Sequence, residues 1–276
     1  IVNIPDANFK ACLVLFPLIN TNGDTEIQVS EAAAYSGLIP CHMQNISDLT
    51  GIEAFTAITE LWCHNNQLTN IDLSQNIALT NLVCNSNQLT GLDVSQNTAL
   101  TDLQCQDNQL SSLNLSGATD LTTLRCWNNN QLTTLDVSNN TALTTLYCYN
   151  NNLTSLDVSN NTSLTTLHCK NNNLTSLDVR NGNNTNITFF KCENNPNLYC
   201  INVDDPTWST SNWTDIDSQH YFSTNCPPPS SIQEQTTNKE LLKVTDLLGR
   251  ETKGTKNEVL FYIYDDGTVE KRIVIE

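Results

Sequence analysis

From Leu79 to Ala99 the chain reads LTNLVCNSNQLTGLDVSQNTA, and apolar residues fall on every second position twice within this stretch. Leu82 and Cys84 form the first alternating pair, Leu92 and Val94 the second. Alternation of period two is the pattern of a strand with one buried face. Each pair is followed by asparagine, at Asn87 and Asn97. Asparagine tolerates unusual backbone angles, and its amide can satisfy backbone groups at a bend. The pattern therefore predicts a coil with two short strand-like arms, each closed by an asparagine turn.

The coil repeats. Cys41, Cys63, Cys84, Cys105, Cys126, Cys148, Cys169 and Cys192 follow at intervals of 22, 21, 21, 21, 22, 21 and 23 residues. One such unit cannot bury its apolar side alone, so successive units must stack. At a strand spacing of about 4.8 Å, eight coils make a rod roughly 35–40 Å long. The cysteines then form one inward column. Cysteine packs there as a small hydrophobe, and no basic neighbour recurs to lower a thiol pKa, so buried inert thiols are expected.

The unit L-x-x-L-x-C-x-x-N-x-L resembles the leucine-rich repeat in its short, cysteine-bearing form from bacterial surface proteins. The resemblance covers residues 41–200 and implies a parallel, β-rich repeat solenoid of about eight coils. Departures are local: Asn114 and Ala118 replace the usual Asp and Asn in one unit, a residue is added near Asn130, and Asn183–Asn186 interrupt the last full unit.

An open solenoid exposes its core at both ends and needs caps. In residues 1–40, Asp6 can cap a helix carrying Phe9, Leu13 and Phe16 at helical spacing, and this segment resembles the N-terminal helical cap of bacterial leucine-rich repeat proteins. Asn20–Glu31 resembles an EF-hand-type calcium loop. Its implied oxygen ligands are Asn20, Asn22, Asp24, the Glu26 carbonyl, Gln28 and Glu31, with Ile27 packed inward. Thr25 stands where such loops carry glycine, and a polar turn between two cap helices is the alternative. In residues 201–226, Trp208, Trp213 and Phe222 can cover the last coil, and Cys200 and Cys226 flank that cap as the expected disulfide of an exported protein. Cys12 has no repeat partner. It is either free in the cap helix or bridged to Cys41, and the free thiol is the expectation.

Residues 227–238 read as a Pro/Ser-rich linker. Beyond it, residues 239–276 alternate as strands through Leu242, Val244, Phe261, Ile263, Val269, Ile273 and Ile275, with Asp266-Gly267 as a hairpin turn. This small β-module resembles the C-terminal sorting domain of type IX secretion substrates, through DLLGRE and FYIYDDGTVEKRIVIE. The resemblance implies engagement of that secretion machinery and an extracellular or outer-surface location.

Charge narrows the partners. The formal net charge is −17, and residues 1–229 hold five Lys/Arg against 20 Asp/Glu. Such a body repels nucleic acid and anionic membrane surfaces. No apolar run reaches the length of a membrane span. With Ile1 first and no charged leader, any export signal is expected to have been removed or left out.

Enzymatic chemistry fits poorly. His64 and His168 lie five coils apart, too far for an acid–base pair. His42 and His64 occupy adjacent coils and could approach to about 5 Å, but two metal ligands without a third make a weak site. Asp72, Asp93, Asp136, Asp157 and Asp178 form a column at about 5 Å spacing, the separation of a retaining glycosidase pair. They stand on a flat face with no cleft, so hydrogen bonding to nearby backbone or Ser/Thr groups is the expectation.

The two arms differ in variety. The second repeats Asp and Ser with little change. In the first, the residues flanking each cysteine read Trp62/His64, Val83/Asn85, Gln104/Gln106, Arg125/Trp127, Tyr147/Tyr149, His168/Lys170 and Lys191/Glu193. Aromatic and cationic side chains on a rigid sheet suit a protein or polysaccharide ligand. Trp62, His64, Arg125, Trp127, Tyr147, Tyr149, His168 and Lys170 are the candidate contacts. The expected function is adhesion or recognition through the cysteine-bearing sheet. The alternative is a structural surface or matrix component that stacks edge to edge, to which the column Thr80, Thr101, Thr122, Thr144 and Thr165 would contribute.

Overall fold

The computed structural model describes residues 1–227, 241–245, 250–252, 259–264 and 269–273. It divides into two compact units, residues 1–228 and 229–276.

The first unit is a leucine-rich repeat solenoid. Eight three-residue strands form one parallel sheet in chain order: Leu38–Pro40, Glu60–Trp62, Asn81–Val83, Asp102–Gln104, Thr123–Arg125, Thr145–Tyr147, Thr166–His168 and Phe189–Lys191. Register is exact in sequence terms, since Leu61, Leu82, Leu103, Leu124, Leu146 and Leu167 pair in succession. These leucines and all eight column cysteines are fully buried. A fully buried leucine stabilises by about 1.5–3 kcal/mol relative to exposure, so the column of leucines dominates the packing term.

The expected asparagine turn separates into two roles. Positive φ, between 53° and 58°, falls on the residue before the recurrent asparagine: Asn65, Ser86, Asp107, Asn128, Asn150, Asn171 and Asn194. The recurrent asparagine instead faces inward and bonds backbone. Asn108 Nδ2 donates to the carbonyls of Cys84 and Cys105, both at 3.1 Å, while its Oδ1 accepts from Leu89 N–H at 3.0 Å. The same pattern recurs at Asn87 and Asn172. Each amide thus ties one coil to the preceding one and satisfies groups that would otherwise be buried unpaired.

The second arm is less regular than the two-arm expectation. Strands Gly91–Asp93 and Ser112–Asn114 pair as one ladder, and Ser155–Asp157, Ser176–Asp178, Cys200–Asn202 and Tyr221–Ser223 as another. Between them, residues 134–136 form no strand. The coil with the added residue near Asn130 lies at this break, and one extra residue shifts register along a strand of only three residues. In the neighbouring unit Gly117 has a steric cause, because a Cβ there would lie 1.8 Å from the Ser95 carbonyl oxygen.

Both ends are capped. Asp6 begins the helix Ala7–Val14 by accepting from Asn8 N–H and Phe9 N–H, and its other oxygen accepts from Ser47 in the first coil. Phe9 and Leu13 are fully buried, whereas Phe16 lies beyond the helix and meets Tyr35 edge-on. Cys12 is bridged to Cys41, with Cα atoms 5.8 Å apart, which corrects the expectation of a free thiol. The cap helix crosses the open end of the cysteine column, so the first column residue meets the helix in place of a preceding coil. At the other end Cys200 bridges Cys226 as expected. Trp213 stacks on Phe190 at 4.1 Å and meets Trp208 and Phe222 edge-on, closing the last coil.

In the second unit, Leu241–Thr245, Val259–Tyr264 and Val269–Ile273 form a three-stranded antiparallel sheet. The expected Asp266-Gly267 turn, Ile275, most of DLLGRE and nearly all of the linker lie outside the described residues.

Candidate functional site

Side chains on the outward face of the eight-stranded sheet arise from alternation: with leucine and cysteine turned in, the residues on either side of each cysteine turn out. Register then decides which of them touch. Trp127 and Tyr149 stack with ring centroids 5.2 Å apart and planes 8° apart. Tyr149 stacks on His168 at 4.3 Å. Tyr147 meets Trp127 edge-on at 6.0 Å and His168 at 5.8 Å. Six of the eight candidate contacts, Arg125, Trp127, Tyr147, Tyr149, His168 and Lys170, therefore occupy three successive coils and form one patch.

Trp62 and His64 do not join it. Their strand is separated from Thr123–Arg125 by the strands Asn81–Val83 and Asp102–Gln104, which carry polar and small apolar seats. His64 instead stacks on His42 at 4.7 Å with planes 3° apart, matching the approach expected from the repeat. The in-plane lone pairs of two parallel imidazoles do not converge on one ion, so this pair lacks the geometry of a metal site. Burial and the neighbouring His42 both hold the His64 pKa down.

The patch is partly desolvated. Its rings cover one another, and His168 is only 9% exposed. Burial pushes the His168 pKa down to about 4, with Lys170 and Lys191 adding to the shift and Asp215 opposing it. His168 is therefore neutral at physiological pH and acts as an aromatic member of the stack. Of the cations, Arg125 lies 3.2 Å from Asp102 and Lys191 lies 3.1 Å from Asp215. Lys170 makes no ion pair among the described residues.

Phe189 extends the patch and was missed from sequence. It is 36% exposed, 5.7 Å from His168 and 6.2 Å from Tyr147. The signal was available: Phe189 shares the outward parity of Lys191, two residues on, but lies outside the seats that flank cysteine.

Elsewhere the polar columns serve the scaffold. Asp72, Asp93, Asp136 and Asp157 each accept a backbone N–H from the serine two residues on, at 2.8–2.9 Å. Hydrogen bonds from the same serines lower the pKa of these carboxyls, the hydroxyl leading at Asp93 and Asp136 and the backbone N–H at Asp72, as expected for anchored carboxylates rather than a catalytic pair. Thr80, Thr101, Thr122, Thr144 and Thr165 donate their hydroxyl protons to carbonyls of the preceding coil.

The calcium-like loop closes on itself. Glu31 accepts from Thr21 N–H, Thr21 Oγ, Asn22 N–H and Gln28 N–H. Asn20 Oδ1 accepts from Gly23 N–H, and Asp24 accepts from Glu26 N–H and from the amides of Asn22 and Gln28. Ile27 is fully buried, as expected. In this arrangement Asn20, Asp24 and Glu31 direct their oxygens at hydrogen-bond donors of the loop itself, as a polar turn does. Among the described residues, no three His, Cys, Asp or Glu side chains group to hold a metal ion.

The remaining thiols, Cys63 to Cys192, are free and buried. Burial pushes Cys63 and Cys126 up to about 12, the opposite of an activated nucleophile.

This column has counterparts among known proteins. No family model matches the chain. Internalin J of Listeria monocytogenes serotype 4b is 37% identical over 73 residues, which is 26% of this chain and 8% of that protein. The solved functional domain of InlJ from Listeria monocytogenes, which includes a cysteine ladder, aligns at 36% identity with a TM-score of 0.53, covering 72% of this chain and 50% of that one. The Listeria monocytogenes internalin InlF aligns at 20% identity with a TM-score of 0.60, covering 80% of this chain and 71% of its own, which speaks to fold alone. The chain thus spans half of the solved InlJ domain and a small part of full-length internalin J. Its fold is that of a leucine-rich repeat protein, and over the aligned stretch it is similar to the solved InlJ domain, which also includes a cysteine ladder.

Proposed function

We propose that this chain is a surface or secreted recognition protein that binds a protein ligand through the aromatic patch of its eight-stranded sheet. The observation that carries the reading is the stack Trp127–Tyr149–His168, a set of large rings held half-buried on a prebuilt sheet beside Lys170, which has no ion-pair partner among the described residues. Rings already ordered by one another lose little conformational freedom on binding, which favours affinity.

Ring orientation favours protein over polysaccharide. Tyr149 lies between Trp127 of the preceding coil and His168 of the next, so both its faces are engaged. Sugars stack on a free aromatic face, whereas exposed ring edges and a phenol hydroxyl suit close-packed protein contact. Stacking as a structural matrix component has less support, because the threonine hydroxyl protons and second-arm carboxylates are committed within the solenoid. Export and surface location are part of the proposal. They rest on the disulfide at each cap, which fits an oxidising compartment, and on the sorting-domain resemblance of residues 239–276.

The test compares the wild-type chain with the Trp127→Ala, Tyr147→Ala, Tyr149→Ala triple variant on a glycan array and on intact cell surfaces. The proposal expects cell binding that is lost in the variant and sensitive to protease treatment of the cells. Unchanged binding by the variant would overturn it, and glycan-array binding lost in the variant would assign the patch to polysaccharide.

A further inference from the structure

Each coil of the eight-stranded sheet is hydrogen-bonded to the next until the last. The carbonyls of Thr59, Thr80, Thr101, Thr122, Thr144 and Thr165 each accept two backbone N–H groups from the following coil. The Thr188 carbonyl comes next in this column and accepts none from the described residues.

The C-terminal cap stands in for a ninth coil further along the same edge. The Asp215 carbonyl accepts from Cys192 N–H at 2.9 Å, and the Asp217 carboxylate accepts from Asn194 N–H and Asn195 N–H, both at 2.8 Å. Phe190 is passed over. Its N–H and C=O face the same side as the Cys192 N–H two residues on, because successive residues of a strand alternate sides. In register, the acceptor for Phe190 N–H would be the Trp213 carbonyl. Trp213 instead ends the helix Pro206–Asn212, its N–H held by the Ser209 carbonyl at 2.9 Å. Among the described residues, nothing bonds the Phe190 peptide groups on that edge.

A groove of about 370 Å³ opens at this gap, bordered by Thr188, Phe189, Phe190, Asn212 and Thr214. Lys191 and Asp215 pair at 3.1 Å, which leaves no unpaired charge among the lining residues. Selection therefore falls to the main chain, where two carbonyls and one N–H lie unpaired in strand register over Thr188–Phe190, about 10 Å of extended chain. Trp213 stacks flat on Phe190 at 4.1 Å and so fills the inward seat that a ninth leucine would take.

We propose that this edge is a strand-addition site, which takes an extended segment of the partner protein in parallel register with Phe189–Lys191. Main-chain hydrogen bonds supply the recognition, as in other cases where a peptide extends a sheet. The residue over Phe190 must be small, because Trp213 occupies its space. The residues on either side of it turn outward beside Phe189 and Lys191, and Phe189 carries the contact into the aromatic patch through Tyr147 and His168. The proposal rests on the recognition reading above, and its test separates the two.

Backbone hydrogen exchange of the ¹⁵N-labelled full chain is measured alone and with the acetylated, amidated peptide Thr-Thr-Ala-Thr-Thr. In the free chain the Phe190 amide should exchange faster than the Leu167 amide, which the next coil covers. With peptide at about ten times its Kd, Phe190 exchange should slow about tenfold. In parallel register the fourth residue of the peptide donates to the Phe190 carbonyl, whereas the N–H of the third faces away. N-methylation of the fourth residue should therefore abolish the protection, and N-methylation of the third should leave it. Thr214→Trp, a change at an exposed position on the rim, should also abolish it while the rest of the spectrum stays dispersed. A Phe190 amide as protected as Leu167 in the free chain, equal effects of the two N-methyl peptides, or protection that persists in a folded Thr214→Trp chain would overturn the strand site. Trp127→Ala should leave the peptide protection intact. Loss of cell binding in the triple variant with no protection of Phe190 by peptide would retain the patch and reject the strand site.

Discussion

Tyr149 and His168 stack at 4.3 Å between ring centroids, from adjacent coils and from opposite seats of the cysteine they flank. Tyr149 follows Cys148, whereas His168 precedes Cys169. The contact therefore runs diagonally across the sheet, and it keeps the imidazole dry.

His168 titration follows from this burial. Its folded pKa of about 4 lies below the unfolded value near 6.5. A depressed histidine contributes stability that is complete above the unfolded pKa and is lost as pH falls from about 6.5 towards 4. The ¹H–¹⁵N spectrum of the imidazole should show the neutral form at pH 5.5, and His168→Gln should flatten part of the acid-side loss of Tm. A midpoint near 6.5 would contradict the buried stack.

The cysteine column makes a counting prediction. Seven thiols are free and buried, and four cysteines are in disulfides. A thiol reagent should find none of the seven in the native chain and all seven in guanidinium. Cys126→Ser places a hydroxyl in an apolar column and should cost about 1–3 kcal/mol.

Interior asparagines should differ in cost according to their bonds. Asn108→Ala removes the partner of one buried N–H and of two carbonyls, and should destabilise by about 3 kcal/mol or more in denaturant unfolding. Asn97 donates to the Leu73 and Asn76 carbonyls, but its Oδ1 has no partner. Asn97→Ala should therefore cost less. Equal losses would contradict the hydrogen-bond account of coil stacking.

The N-terminal staple closes a span of 29 residues. Replacing Cys12 and Cys41 by serine should cost about 3–4 kcal/mol on the loop-closure estimate, and hydrogen exchange should rise first in the cap helix and the first coils. Global loss of protection with no local gradient would contradict a cap that seals one end of a stack.

Much of this fold was legible because its signal recurs. A large apolar residue (leucine in six coils, Ile39 and Phe190 in the first and last) and a cysteine every 21 to 23 residues, always two apart, determine strand, facing and stacking together. What recurs less was harder to read. The left-handed turn falls on Asn65, Ser86 and Asp107 alike, so composition pointed to the following asparagine, whose task is different. The Cys12–Cys41 bridge depends on where a cap helix docks, which spacing does not encode. The second-arm break depends on one residue near Asn130 that is small in sequence and decisive for strands only three residues long. For the site, the outward seats were readable, but the split between Trp62/His64 and the Trp127–His168 patch came from the polar seats between them. Phe189 pairs in register with Thr166, across a 23-residue spacing, and reaches His168 only diagonally.

The measurement closest to the central claim is a pair of binding isotherms on cell surfaces, Tyr149→Ala against Trp62→Ala, each referred to wild type. The account predicts at least a tenfold loss of affinity for Tyr149→Ala, the ring at the middle of the stack, and little change for Trp62→Ala, which lies outside the patch. Equal affinities for the two variants, or a loss confined to Trp62→Ala, would contradict recognition through the Trp127–Tyr149–His168 face.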